Sequence, residues 1–314
     1  MYKKLNFLKH AFLLLIGGML FFSSCDDNEE NEVKPEPAIS EVEIGSGNNG
    51  IGVIGRDFHF NAEILAGDKI DSVLLQIVPK AGENYESDWS FEIVYMQYKG
   101  SKNATVHKHF DIPEDAVEGK YDFLIMITDE NGTSLLETRE INIYTPENLP
   151  VDPQLSTLNI GGLASGFFYR DGEFIDGNVL QKNDTIWSQV TIEGVKGDGI
   201  MYVLLIKKDL GHRPETTDAI DFSKAIVYDV YEHKGWEDVD YFSNEVFDLE
   251  TFTFVRNAPD FKIGAEADNN IPEPSPISGE KSWESGEYYF GVVYKNTTYN
   301  FNFFHYIEFE VAGF

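Results

Sequence analysis

Between residues 40 and 144 apolar and polar residues alternate in short runs, the two-residue period of half-buried strands. Val42 and Ile44 alternate with Glu41 and Glu43, and Phe58, Phe60, Ala62 and Ile64 alternate with His59, Asn61 and Glu63. Further runs cover residues 70–78, 91–98, 104–112, 121–128 and 134–143. Asp129-Glu130-Asn131-Gly132 joins the last two, and its Asn-Gly step is a strong hairpin signal. Seven short strands in about a hundred residues predict an immunoglobulin-like β-sandwich.

Residues 145–156 contain Pro146, Pro150 and Pro153 and read as a stiff linker. The β-rich pattern then resumes over 157–314 as a weak repeat of the first region. Phe58 to Ile64 finds its counterpart in Ile186 to Ile192, residues 70–78 in 200–208, and 91–98 in 225–231. Glu118-Gly119-Lys120-Tyr121 matches Ser285-Gly286-Glu287-Tyr288, and the last runs match each other. The fold class is therefore all-β, two tandem sandwiches, the second longer. Its surplus lies in residues 211–224 and in the Pro-rich 258–281, the latter read as a long surface loop.

Ahead of the strands the pattern differs. Lys3, Lys4 and Lys9 precede an apolar run from Ala11 to Phe22, too short for a membrane span and the shape of a secretory leader. Ser23-Ser24-Cys25 resembles the lipobox of bacterial lipoproteins, which implies a leader over 1–24 and lipidation of Cys25, the only cysteine in the chain. The acidic residues from Asp26 onward resemble a surface-export signal, and 25–39 reads as a flexible acidic tether. The expected location is the outer membrane, facing outward, held by lipid.

Charge narrows the partners. Basic residues number 24 against 54 acidic, a net charge of −30, and loss of the leader removes three more lysines. Such a surface excludes nucleic acid, whose affinity rests on phosphate neutralisation. It also excludes charge-driven adhesion to an anionic membrane.

The candidate chemistry lies in Val106-His107-Lys108-His109-Phe110. Residues two apart on a strand share a face, so His107 and His109 project together, away from Val106 and Phe110. Phe58 and Phe60 push His59 outward in the same way. In an immunoglobulin-like sandwich the second and fifth strands are antiparallel neighbours. That brings His59 beside His107 and His109, with Gly45-Ser46-Gly47-Asn48-Asn49 reaching the same corner. Three nitrogen donors without sulfur suit Zn or Cu(II), or Ni, with a position left open. Asn48, Asn49 and Glu63 are possible supporting residues, and Asp57 or Glu63 could add a carboxylate.

Gly47-Asn48-Asn49, Asp57-Phe58-His59, the run from Lys102 to Pro113, and Gly119-Lys120-Tyr121 together resemble an uncharacterised family. It is a domain of unknown function of Bacteroidota lipoproteins, matched over about 38–144. The resemblance implies an immunoglobulin-like fold and a His-rich constellation that includes the positions of His59, His107 and His109. Ser46 and Asp122 stand where many members carry further histidines. No activity accompanies the family.

Elsewhere, His305 reads as a hydrogen-bonded histidine at a core edge, and His212 and His233 as solvated loop residues. Trp187 and Trp236, with Tyr241, could form an aromatic face for stacking on sugar rings. Hydrolase, metalloprotease, calcium-loop and phosphate-loop motifs are missing from the sequence. The expected function is thus a non-enzymatic, surface-exposed lipoprotein that captures a transition metal, with an outer-membrane uptake receptor as a candidate partner. The alternative is a carbohydrate- or nutrient-capturing or adhesive lipoprotein.

Overall fold

The computed structural model describes residues 33–163 and 166–314. The leader, Cys25 and the acidic run behind it fall outside them. Among the described residues there is no α-helix, only single 3-10 turns between strands.

The first half contains β1 (Ala38–Ile44), β2 (Ile51–Val53), β3 (Asp57–Leu65), β4 (Ile70–Pro79), β5 (Phe91–Tyr95), β6 (Asn103–Asp111), β7 (Gly119–Asp129) and β8 (Ser134–Tyr144). All seven expected runs are strands. The first begins at Ala38, inside the expected tether. The short β2 is additional and pairs parallel with β8. One sheet runs β1-β3-β6 and the other β2-β8-β7-β4-β5. Phe58, Phe60, Ala62, Ile64 and Val106 from the first sheet pack with Val73, Leu75, Ile77, Phe123, Ile125 and Ile127 from the second in one core. Each fully buried aliphatic or aromatic side chain contributes about 1.5–3 kcal/mol of transfer free energy, so alternation alone fixes which face of β3 and β6 turns inward. The expected hairpin forms: Gly132 takes φ 90°, and its N–H donates to the Asp129 carbonyl at 2.9 Å.

The second half contains β9 (Gln154–Gly162), β10 (Gly166–Arg170), β11 (Glu173–Phe174), β12 (Val179–Gln181), β13 (Thr185–Lys207), β14 (Ala225–Ser243), β15 (Val246–Asp248), β16 (Thr253–Arg256), β17 (Phe261–Lys262), β18 (Gly286–Asn296) and β19 (Phe301–Ala312). Its pairing order repeats that of the first half. The start of β13 lies between β9 and the end of β14, as β3 lies between β1 and β6. The rest of β13 lies between the start of β14 and β18, followed by β19 and a parallel β12, as β4 lies between β5 and β7, followed by β8 and β2. Where the first half turns between β3 and β4, β13 runs straight through with bulges between Ile192 and Gly199.

Both surplus segments are tied down. Residues 211–224 lie over the outer face of β13, where Ile220 is buried with Leu204, Ile206, Val227 and Val293. Tyr306 donates its hydroxyl to the Pro214 carbonyl at 2.5 Å. In the Pro-rich segment, the buried carboxylate of Asp268 receives the Lys281 ammonium at 2.7 Å and the Ser275 N–H at 2.8 Å. The linker is clamped as well. Arg56 grips Asp152 through two hydrogen bonds of 2.6 and 2.8 Å, while the Asp152 N–H donates to the Gly194 carbonyl at 2.9 Å.

Candidate metal centre

β3 and β6 place the three histidines. They pair antiparallel with His59 opposite His109 and Asn61 opposite His107. Phe58, Phe60 and Val106 are fully inside, so the odd-numbered positions face out. Lys108 shares the inward face, and its ammonium settles 5.5 Å from the ring centres of both Tyr95 and Tyr98. A cation over aromatic faces is a stable resting place at a sheet margin.

The imidazoles converge. His59 Nδ1 is 3.4 Å and His107 Nε2 3.2 Å from His109 Nε2, and one ligand atom from each residue lies within 4.8 Å of the others. Metal–nitrogen bonds of about 2.0–2.1 Å in a tetrahedron give nitrogen–nitrogen edges of about 3.3–3.4 Å. The two separations measured from His109 lie close to those edges. His109 Nδ1 donates to Asp57 Oδ2 at 2.6 Å, which leaves its Nε2 lone pair facing the other two rings. A carboxylate behind a ligating imidazole is the usual outer-shell arrangement of a metal site.

His59 is the most enclosed of the three, with 12 % of its side chain exposed. Burial holds its pKa below the ordinary imidazole range, helped by His109 and His107 and opposed by Glu43 and Glu215. The neutral ring is the form a metal needs. Its Nε2 is buried without a hydrogen bond, and Glu43 Oε2 stands 3.6 Å away, so a small shift would complete a second carboxylate–imidazole pair.

The supporting residues divide. Asn48 Oδ1 accepts the Ile44 N–H at 3.1 Å and Asn49 Oδ1 the Ile51 N–H at 3.0 Å, so both amides hold the turn between β1 and β2. Glu63 accepts the Thr105 hydroxyl at 2.7 Å two pairs beyond Asn61 and His107 along the strands. Of the two carboxylates weighed from sequence, Asp57 is the one at the cluster.

The other aromatic and histidine expectations change. Trp187 lies across Gly161, its partner on β9, with its edge to Phe167. Trp236 pairs ten residues further along β13, opposite Gly197, and its ring packs on His233 and Phe242. At about 3.3 Å per residue the two tryptophans are separated by up to about 33 Å of strand and do not form one platform. His233 is 4 % exposed rather than solvated, because β14 continues through Gly235 and carries it over Gly199. Its Nδ1 meets the Gly197 carbonyl at 3.0 Å and its Nε2 the Tyr294 hydroxyl at 2.8 Å. His212 Nε2 accepts the Asp221 N–H at 3.0 Å, and His305 is half-buried on β19.

What the sequence reading missed is the far wall of the site. A cleft of about 370 Å³ opens beside His59 and His107 and is closed by residues 211–216 of the second half. A neighbouring cleft of about 160 Å³ joins His59, His109 and Asp57 to Glu215, Asn302 and Phe304.

Residues 23–144 match the family model "Domain of unknown function (DUF4625)". The match contains β1 to β8 and all three histidines. No curated protein matches the chain in sequence. Among solved structures, a carbohydrate-binding module of the β-sandwich superfamily is similar at 10% identity and a TM-score of 0.23, covering 67% of this chain and 84% of that one. Dimeric latent PorU from Porphyromonas gingivalis is similar at 12% identity and a TM-score of 0.23, covering 89% of this chain and 34% of that one. A putative membrane-anchored protein from Corynebacterium diphtheriae is similar at 14% identity and a TM-score of 0.20, with 88% and 59% covered.

Proposed function

We propose that this chain is a non-enzymatic binding protein that captures a transition metal on its first sandwich, with His59 Nδ1, His107 Nε2 and His109 Nε2 as ligands. The observation that carries the reading is that His59 Nδ1 and His107 Nε2 each stand close to a ligand-edge distance from His109 Nε2, all three within 4.8 Å of one another, with Asp57 orienting His109 from behind. Three neutral nitrogens favour Zn or Cu(II) over oxygen-seeking Mg or Ca. Three protein ligands leave a coordination position for water or a ligand. The lipobox-like Ser23-Ser24-Cys25 and its acidic follower support a lipid-anchored, outward-facing position on the outer membrane. A metal held there would be passed to an uptake receptor in the same membrane.

Calorimetric titration of Zn and Cu(II) into the exported chain tests the reading. Binding of one equivalent, lost in His107→Ala and in His109→Ala, is the expected result. Equal heats in the native chain and both variants would remove it.

A further inference from the structure

The histidine cluster lies on the first sandwich, but the space in front of it is bounded by the second. Glu215 lines both clefts that open onto His59, one shared with His107 and the other with His109 and Asp57. Its charge acts on His59 alongside that of Glu43.

The segment carrying Glu215 is held firmly. Pro214 is buried and its carbonyl accepts the Tyr306 hydroxyl, while Ile220 is sunk into the apolar face of β13. This segment is part of the surplus that the second half has over the first.

A second contact fixes the two halves at the same place. Asn302 on β19 donates its Nδ2 hydrogen to the Ser46 carbonyl at 3.0 Å, in the turn that follows β1. Gly47 in that turn takes φ 59°, and a Cβ there would collide with the Asn302 amide and touch Thr216. The Asn302 Oδ1 atom is buried without a hydrogen bond, and Asn302 is one of the residues lining the cleft that holds His59, His109 and Glu215. A buried acceptor without a donor costs about 1–3 kcal/mol, so this oxygen calls for a donor such as a metal-bound water.

We infer that the metal centre is shared between the two sandwiches: Glu215 supplies a carboxylate to the cation held by the three histidines, and loading the site locks the halves together. The inference rests on the metal-capture reading above. A divalent cation among three neutral imidazoles also offsets the charge gathered there by Glu43, Asp57 and Glu215. Asn302 Oδ1 would accept from a water on the same cation.

The test uses the full exported chain with Zn alone and Cu(II) alone. Glu215→Gln should weaken Zn binding at least about tenfold, while Glu63→Gln, whose carboxylate serves Thr105, should bind as the native chain does. The Cu(II) resonance spectrum of Glu215→Gln should change its ligand pattern. In the native chain, Zn should slow amide exchange in residues 211–219 and in 45–49 together, a readout that needs no substitution. If Glu215→Gln binds Zn as tightly as the native chain, or Zn protects residues 45–49 and leaves 211–219 unchanged, the shared site is wrong and the three-histidine site stands. If the native chain takes up neither metal, both fall.

Discussion

Asp57 Oδ2 lies 2.6 Å from His109 Nδ1, reached diagonally across the β3–β6 pair from the position two residues before His59. The contact fixes the tautomer of His109 and so decides which nitrogen faces His59 and His107. Asp57→Asn keeps the shape but replaces a charged acceptor with a neutral amide. Metal affinity should fall about 10–100-fold, measured by titration, with the midpoint of thermal unfolding of the metal-free chain little changed because both side chains are exposed.

The Arg56–Asp152 pair predicts an acid-side change in stability. The Arg56 guanidinium, with Gln154, holds the Asp152 carboxyl below the usual carboxylate range. A depressed folded-state pKa gives stability that is present above the unfolded value of about 3.9. It is lost as pH falls through the lower folded value. Both side chains are more than a third exposed, 38 % for Arg56 and 35 % for Asp152, so the pair is worth only about 0.2–1 kcal/mol. Asp152→Asn should therefore be slightly less stable than the native chain at pH 7 in urea unfolding, and the difference should vanish as pH falls through the depressed carboxyl pKa. A difference that persists unchanged into acid would show that the loss is not electrostatic.

Gly47 sits where two demands meet. Its φ of 59° is left-handed, and its Cα side is filled by the Asn302 amide. Gly47→Ala should cost about 1–2 kcal/mol from the backbone conformation alone, and more because Asn302 must move off the Ser46 carbonyl. Calorimetric unfolding of the variant should show a lower midpoint. An unchanged midpoint would mean that the turn and β19 are not in contact in solution.

The histidine cluster was legible because every step in it is local or topological. Phe58 and Phe60 on one side of His59, and Val106 and Phe110 around His107 and His109, set the outward faces by alternation. The sandwich order then made β3 and β6 neighbours. Glu215 and Asn302 had no such signal. They arrive from more than 100 residues away, on a segment without periodicity and on a strand whose partner was known only as a repeat. His233 was misread for a different reason. Gly235 looks like a loop residue, but its φ of 68° serves a bulge in a strand that continues to Ser243. Asp57 stood in the sequence as one of two possible carboxylates, and only the register of β3 against β6 separates it from Glu63.

The corrected position of His233 yields the last prediction. Its imidazole is enclosed between Trp236, Phe242 and Tyr294, and burial holds its pKa below the ordinary range. In the neutral ring one nitrogen donates and the other accepts. Nδ1 faces a carbonyl, so it carries the hydrogen, and Nε2 accepts from the Tyr294 hydroxyl at 2.8 Å. That hydroxyl also accepts from Asn296 Nδ2 at 3.2 Å. Tyr294→Phe removes one oxygen and strands the His233 Nε2 acceptor, while Asn296 Nδ2 keeps its hydrogen bond to the Lys196 carbonyl at 2.7 Å. The expected loss is about 1–3 kcal/mol, read as a lower urea midpoint with an unchanged slope. An unchanged urea midpoint would mean that the Tyr294 hydroxyl adds no net hydrogen-bond stability at this site.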